Sequence, residues 1–172
     1  MNPLESFRKD KDEFFRLDNQ SPLTPEQQQD FKGLLYFPEN PSLRLEVTVE
    51  KFPSQQKISM QTSTGGIQSY LRFGAFRFQV DGQSTQLTLY TSKTGFFLPF
   101  VDALAGDETY GSGRYLEPVL LQDGKFLVDF NYAYNPYCAY NDLWSCPITP
   151  AENHLKVPIR AGEKSFSSST DH

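Results

Sequence analysis

Residues 76–89 read FRFQVDGQSTQLTL, and this stretch decides the fold. Apolar and polar side chains alternate on both sides of Asp81-Gly82, the dipeptide that a two-residue hairpin turn prefers because both positions adopt positive φ. The apolar side chains that share one face are Phe76, Phe78, Val80, Leu87 and Leu89. The stretch therefore predicts two antiparallel strands with one buried and one solvent-exposed face.

The same two-residue period recurs on either side of this hairpin. Residues 43–49 alternate apolar and charged or polar side chains, which predicts another half-buried strand. Asp123-Gly124 lies between the apolar runs 119–121 and 126–130 and predicts a second hairpin. Gly74 lies between two strand-like runs, where a bulge or bend is the more usual role of glycine than a ligand contact.

Short, closely spaced strands without crossover helices predict antiparallel connections. The sequence contains about eight such candidates, so the fold class is mainly β, either an antiparallel β-barrel or a two-layer sandwich. We favour the barrel, because a sheet without edges accommodates many aromatic strands without aggregation.

Two helices are predicted before the strands. Residues 3–17 place apolar side chains near one side of a helix, and Thr24-Pro25 with Gln27 forms a capping-box pattern that begins a second helix ended by Gly33. We expect both helices to pack on the β-structure. The chain is then one domain over 1–172, with a helical segment at 1–33, a β domain at 43–164 and a loose tail at 165–172.

Composition narrows the classes of function. The 172 residues are 38% hydrophobic and 15% aromatic, which is typical of a globular chain rich in strands. A net charge of -5 without a basic stripe disfavours nucleic acid as a partner. No apolar stretch approaches the ~20 residues that cross a bilayer, and residues 1–20 are charged, so we expect a cytoplasmic protein without a membrane partner.

An ordered series of motifs occupies the C-terminal half. The series is Phe97-Leu98-Pro99-Phe100, Thr109-Tyr110-Gly111-Ser112-Gly113-Arg114-Tyr115-Leu116, Asp129-Phe130-Asn131, Ala133-Tyr134-Asn135-Pro136-Tyr137-Cys138-Ala139-Tyr140, Trp144-Ser145-Cys146-Pro147, Glu152-Asn153 and Ala161-Gly162-Glu163-Lys164. Together with residues 21–24 and 33–34, it resembles the bacterial and archaeal family called domain of unknown function 1684. The resemblance covers nearly the whole chain and implies no particular reaction, cofactor or catalytic residue.

Arg114 is the candidate anchor for an anionic ligand. It follows the glycine-rich turn 111–113, where backbone amides can approach an anion and a guanidinium can bind it with two hydrogen bonds. Tyr110 would lie beside it. The alternative is a hairpin connection in which Arg114 pairs with a carboxylate.

Asp129, Asn131 and Asn135 are the candidate polar floor of a pocket. They alternate with aromatic residues as a strand enters a loop, so they can share one face, and Glu152 follows the loop as a further polar candidate. Aromatic walls around such groups suit a small polar or anionic organic molecule. The alternative is a buried network that satisfies loop backbone groups.

Cys138 and Cys146 lie in the long loop 136–150 and allow three interpretations. They are free thiols in a reducing compartment, a disulfide or redox pair, or part of a zinc site that would need His154. No sequence motif predicts a metal or another cofactor. A loop of this length is usually functional or held in place by a specific contact.

Three classes of function stay open. The first is a small-molecule-binding β domain that uses the C-terminal half. The second is a hydrolase-type enzyme with a Cys138 and His154 pair or a carboxylate pair, whose candidate members are Asp102, Asp107, Glu108 and Asp129. The third is a structural or protein-interaction domain. The sequence does not define the oligomeric state.

Overall fold

The computed structural model describes residues 2–166 and contains two α-helices followed by nine β-strands within that range. The elements are α1 Pro3–Leu17, α2 Pro25–Asp30, β1 Arg44–Val47, β2 Glu50–Lys51, β3 Lys57–Gln61, β4 Ile67–Val80, β5 Gln83–Ser92, β6 Gly95–Phe100, β7 Arg114–Leu116, β8 Val119–Leu120 and β9 Phe126–Asp129. Residues 167–172 of the predicted tail lie outside the described residues.

The strands form two open antiparallel sheets. The larger has the order β2-β4-β5-β6-β7, with β3 also paired to β4, and the smaller has the order β1-β9-β8. The prediction of a mainly β, antiparallel fold is confirmed, and the arrangement is that of a sandwich. At the β7 edge the chain itself covers the larger sheet, since Tyr115 pairs with Tyr134 of the following segment, so this edge is protected without the closed barrel that we favoured.

Local backbone preferences account for the central hairpin. Asp81 and Gly82 have φ values of 50° and 79°, as the predicted turn requires, and β4 pairs with β5 across it. The register shifts between Arg72 and Gly74, which confirms an irregularity at the glycine. The two strand-like runs on either side of Gly74 are one strand of 14 residues.

One hydrophobic core joins the two sheets. Phe126 of the smaller sheet packs edge to face against Phe96 of the larger, with ring centroids 4.8 Å apart. Phe130 follows β9 and packs in the same way against Phe100 of β6, at 5.2 Å. Residues 155–161 add apolar side chains to this core, although they belong to neither sheet. The C-terminal segment is therefore an integral part of the sandwich.

Both helices begin where the sequence predicts, and α2 ends at Asp30, before the predicted Gly33. Asn2 caps α1 with a reciprocal capping box formed with Glu5, and α1 covers the full predicted range. The helix α2 has the predicted cap at Thr24 but only 6 residues, so only one helix in the described chain is longer than two turns. Neither helix within residues 2–166 is both long and apolar enough to span a bilayer.

A second, smaller core attaches the helices to the loop after β9. Phe15 of α1 is 1% exposed, and its ring packs edge to face on Tyr140 at 5.1 Å. Leu23 and Leu34 complete this cluster from the segments around α2. These contacts place one side of α1 next to the loop that carries both cysteines.

Candidate functional site

A cleft of about 720 Å³ opens between α1 and the C-terminal loop. We call it the aromatic cleft, because six of its eleven lining residues are aromatic. The aromatic residues are Phe7, Phe14, Tyr115, Tyr134, Tyr137 and Trp144, and the others are Asp10, Lys11, Pro136, Ser145 and Cys146. Its volume falls within the range of roughly 300–1,000 Å³ that is usual for small-molecule pockets.

The two tyrosines of the inner wall are held by their hydroxyl groups. Tyr134 donates a 2.6 Å hydrogen bond to the Glu117 carboxylate, and Tyr115 donates to the backbone carbonyl of Pro147. Their rings meet edge to face at 6.0 Å. Burial raises the pKa of both phenols well above the usual value, so they stay neutral at physiological pH. This wall is rigid and uncharged.

The outer wall is held by the turn before α2. The indole of Trp144 donates a 3.0 Å hydrogen bond to the carbonyl of Pro22, and the Asn141 side chain donates to the same oxygen at 2.6 Å. Trp144 also packs edge to face on Tyr137, with centroids 5.1 Å apart. Trp144 therefore lines the cleft with the polar edge of its indole hydrogen-bonded.

A buried carboxylate clamps α1 onto the C-terminal segment. Glu163 is 2% exposed and accepts hydrogen bonds from Lys11 of α1, from the Tyr140 hydroxyl at 2.7 Å and from the Asn135 backbone amide at 3.2 Å. The Asn135 side chain in turn donates to the carbonyl of Lys164 at 3.0 Å. Asn135, a predicted pocket residue, therefore holds the segment below the cleft.

Arg114 lies on β7 with 1% exposure. Its guanidinium donates to the backbone carbonyls of Ile159, Ala161 and Glu163, and it lies 3.8 Å from the Asp102 carboxylate. In an extended segment, the carbonyls of every second residue point in the same direction, so one planar guanidinium can donate to the carbonyls of Ile159, Ala161 and Glu163. Arg114 thus ties the C-terminal segment to the larger sheet, and it does not line the aromatic cleft.

The glycine before Arg114 has a structural requirement of its own. Gly113 has a φ of 97°, and a Cβ atom there would lie 2.4 Å from the carbonyl oxygen of Phe100. Its amide donates to the carbonyl of Tyr110, which closes the turn. The close passage of β7 past β6 therefore explains a glycine at this position.

Asp129 and Asn131 form a buried network at the end of β9. The side-chain amide of Asn131 accepts a hydrogen bond from the Asn40 backbone amide at 2.8 Å and donates one to the Asn40 carbonyl at 3.0 Å. The backbone amide of Asn131 donates to the Asp129 carboxylate at 3.0 Å. Asp129 also pairs with Arg44 at 2.8 Å. The network holds the chain before β1 against β9, and Asp129 and Arg44 also border a pocket of about 430 Å³.

Glu152 lies against β4 and β5, apart from the cleft-lining residues. It accepts hydrogen bonds from Arg72 at 2.8 and 3.1 Å, from Thr88 at 3.2 Å and from the Tyr90 hydroxyl. Burial works against ionisation, but the bonds from Arg72, Tyr90 and Thr88 outweigh it and hold the pKa of this carboxyl below its usual value. Glu152 fastens the segment after the loop to the larger sheet.

The other candidate carboxylates are also engaged or exposed. Asp102 is buried, accepts from the Thr109 hydroxyl at 2.7 Å and forms an ion pair with Arg114. Glu108 forms a surface pair with Arg160 at 2.6 Å, and Asp107 is exposed. The geometry does not direct two of these carboxylates into a shared cleft.

The two cysteines are free thiols in contact with each other. The backbone amide of Cys138 donates a 3.3 Å hydrogen bond to the sulfur of Cys146. The Tyr110 hydroxyl lies 3.8 Å from the sulfur of Cys138. The His154 ring instead faces the carbonyl of Thr149 at 3.3 Å. Within residues 2–166, no three histidine, cysteine or acidic side chains come close enough to hold a metal ion.

Cys138 and Tyr110 border a second pocket, which we call the polar cavity. Its volume is about 450 Å³. Cys138 lines this cavity, whereas Cys146 lines the aromatic cleft. The polar cavity is lined by Gly106, Thr109, Tyr110, Gly111, Cys138, Ala139, Asn141, Asp142, Ser165 and Phe166.

The predicted site residues are thus distributed over several places in the fold. The sequence did not reveal Phe7, Lys11 and Phe14 as cleft residues, because α1 was expected only to cover the sheet. One signal was available in the sequence of α1: only Leu4 and Phe15 of this helix are buried, so the aromatic side chains of Phe7 and Phe14 lie outside its buried stripe.

The fold and the cleft define a mainly β protein with two antiparallel sheets and an aromatic cleft beside α1. The chain belongs to the family described as "Protein of unknown function (DUF1684)", whose model matches residues 29–164. It is similar to an uncharacterised protein of Haloarcula marismortui with a solution NMR structure, at 38% identity and a TM-score of 0.69. That match covers 94% of this chain and 91% of the other. No curated protein matches the sequence.

Proposed function

We propose that the protein binds a small organic molecule with a flat, apolar body in the aromatic cleft. The observation that carries this proposal is a cleft of about 720 Å³ in which six aromatic side chains form the walls. Apolar pockets of this size with a few fixed polar groups are the usual form of small-molecule sites. Aromatic walls bind flat molecules by offset stacking and edge-to-face contacts.

The charges around the cleft favour a neutral or cationic ligand. Of the lining residues, Lys11 is the only cation, and its ammonium group is paired with the buried Glu163. Asp10 lies exposed at the rim and supplies a negative charge. Aromatic faces attract cations, and Lys11 itself lies 5.2 Å from the centroid of the Tyr134 ring. The anionic ligand expected from Arg114 is therefore not part of this proposal.

The cleft is also organised before any ligand arrives. Tyr134 and Trp144 have their polar atoms bonded to Glu117 and Pro22. Fixed rings lose little conformational entropy when a ligand binds, so even a small molecule gains affinity from them.

Three probes test the proposal by their charge: indole, the benzamidinium cation and benzoate. Trp144 is the only tryptophan of the chain, so its fluorescence reports occupancy of the cleft directly. Indole absorbs in the same range, so its binding is followed by thermal shift alone, as ligand-dependent stabilisation. We expect indole and benzamidine to raise Tm in a saturable way, benzamidine to change Trp144 fluorescence, and benzoate to do neither.

Matched variants locate the binding. Phe7→Ala removes a half-exposed wall residue and should weaken binding about tenfold by the loss of ring contact. Phe52→Ala removes a half-buried ring that contacts Arg72 and does not line the cleft, and it should leave binding unchanged. The proposal fails if no probe stabilises the protein, or if Phe7→Ala and wild type respond equally.

A further inference from the structure

The fold brings Cys138 and Cys146 together by contacts that do not involve their sulfur atoms. Cys146 is held by Ser63, whose amide donates to the Cys146 carbonyl at 2.9 Å and whose hydroxyl accepts from the Cys146 amide at 3.1 Å. The Ile148 amide donates to Gln61 at the end of β3, at 2.8 Å. These contacts fix the backbone around Cys146 without involving its sulfur atom.

The sulfur atom of Cys146 reaches the backbone of Cys138. The Cys138 amide donates to the Cys146 sulfur at 3.3 Å, so the Cys146 side chain lies directly beside the Cys138 backbone. A disulfide needs the two α-carbons within roughly 7 Å and side chains that point toward each other. The hydrogen bond from the Cys138 amide directs the Cys146 side chain toward Cys138, as a disulfide between the two residues requires.

The two thiols differ in access and in charge. Cys138 is half-buried and borders the polar cavity, whereas Cys146 is 8% exposed. The hydrogen bond between the two thiols has the largest effect on the pKa of Cys138 and lowers it, and the Tyr110 hydroxyl lowers it further. Burial acts in the opposite direction but is outweighed, so the pKa of Cys138 lies below its usual value. The same interaction raises the pKa of Cys146. A low-pKa thiol with an access route and a protonated partner is the arrangement found in reactive cysteine pairs.

The polar cavity suits a small polar oxidant. Tyr110, Asn141 and Asp142 are among the polar residues that line it with Cys138. Burial, followed by the neighbouring Cys138, raises the pKa of Tyr110 to about 12, so its hydroxyl keeps its proton at neutral pH. That hydroxyl lies 3.8 Å from the sulfur and can hydrogen-bond to an oxygen that departs from it.

We propose that Cys138 and Cys146 form a redox-active dithiol in which a small hydroperoxide oxidises Cys138 and Cys146 then closes a disulfide. The Cys138 thiolate attacks one peroxide oxygen, an S–O bond forms and the O–O bond breaks. Sulfur loses two electrons, and the other oxygen leaves as an alcohol or water after taking up a proton. The Cys146 sulfur then attacks Cys138, the S–O bond breaks, and water leaves with the Cys146 proton. The proposal is argued from the thiols and the polar cavity and does not require a ligand in the aromatic cleft, which Cys146 also borders.

Stoichiometric hydrogen peroxide tests the pathway on the full chain, which has only these two cysteines. Intact-mass spectrometry should show the loss of two hydrogen atoms, reversed by dithiothreitol. We expect oxidation at neutral pH to be about tenfold faster than that of free cysteine, because more of Cys138 is thiolate. Addition of oxygen atoms without hydrogen loss, or dimers linked between chains, would overturn the proposal.

Single variants assign the roles. Cys146→Ser removes the resolving thiol and should accumulate a sulfenic acid on Cys138, detected as a dimedone adduct and mapped by peptide sequencing. Cys138→Ser should form no adduct at low peroxide. Tyr110→Phe should slow oxidation several-fold while its Tm stays near that of wild type. An adduct on Cys146 in Cys138→Ser, or no adduct on Cys138 in Cys146→Ser, would refute the assignment.

Discussion

The side-chain amide of Asn153 pairs with the backbone of Thr88 in both directions. Its oxygen accepts from the Thr88 amide at 2.8 Å, and its nitrogen donates to the Thr88 carbonyl at 2.9 Å. The same nitrogen donates to the Pro99 carbonyl at 2.8 Å. Asn153 is 0% exposed and so acts as a fixed connection between β5, β6 and the C-terminal segment.

The first prediction concerns this connection. Asn153→Ala leaves three buried backbone groups without a partner, and each such group costs about 1–3 kcal/mol. We expect the free energy of unfolding in urea to fall by about 3 kcal/mol. Gln86→Ala, an exposed amide on β5, should change it by less than about 0.5 kcal/mol. Equal effects of the two variants would show that the Asn153 bonds contribute little.

The second prediction separates the two roles that the sequence allowed for Arg114. Arg114→Met keeps the length of the side chain but removes every donor to the three carbonyls and to Asp102. Breaking a buried charge pair costs roughly 3–5 kcal/mol, so we expect a loss of that order in equilibrium unfolding. Arg77→Met on the exposed face of β4 is the control. Unchanged stability in Arg114→Met would support a binding role instead.

The third prediction concerns Glu152 and pH. Its pKa is lowered in the folded state, so its stabilisation is present above the usual glutamate pKa of about 4.3 and disappears as pH falls through the lower folded value. Because the carboxylate is a third exposed, solvent screening limits the effect to about 1 kcal/mol. Glu152→Gln should therefore be less stable than wild type at pH 7 and nearly equal to it near pH 3.

The partner of Glu152 supplies the control for this measurement. In an Arg72→Met background the largest favourable contact of the carboxylate is gone. The loss of stability that Glu152→Gln causes at pH 7 should then shrink, as measured by a double-mutant cycle. A loss that is independent of pH, or unaffected by Arg72→Met, would contradict the electrostatic explanation.

The fourth prediction compares two glycines with similar backbone angles. Gly113 and Gly124 have φ values of 97° and 87°, but only Gly113 has a carbonyl oxygen 2.4 Å from the position of a Cβ atom. Gly124→Ala should cost about 1 kcal/mol from backbone strain alone. Gly113→Ala should cost at least about 2 kcal/mol more, because β6 and β7 must separate. Similar Tm values for the two variants would show that the strands adjust without cost.

Elements with local causes were predictable from the sequence. The Asp81-Gly82 hairpin, the irregularity at Gly74 and the cap at Thr24 each depend on the φ preferences or hydrogen bonds of a few neighbouring residues. The end of α2 was not, because the helix ends at Asp30, before the predicted Gly33, and the chain then extends to pack Phe31 against Phe15.

The candidate site was predictable only in part. The motifs of the C-terminal half do surround the cysteines, but the regular spacing of a strand does not reveal which polar groups face a cavity. Arg114 has the sequence context of an anion site, yet three distant carbonyls occupy its donors. Phe7 has the context of a covering helix, yet it forms a wall of the cleft.

By itself, the sequence determined the alternating strands, the turns between them and the starts of both helices, since these follow from side-chain periodicity and backbone sterics within a few residues. Only the tertiary structure decided where α1 lies, which side chains line the cleft and which groups surround the thiols. Those outcomes depend on contacts such as that of Lys11 with Glu163, which are 152 residues apart. Contacts at such separations form only when the whole chain packs, so no local pattern encodes them.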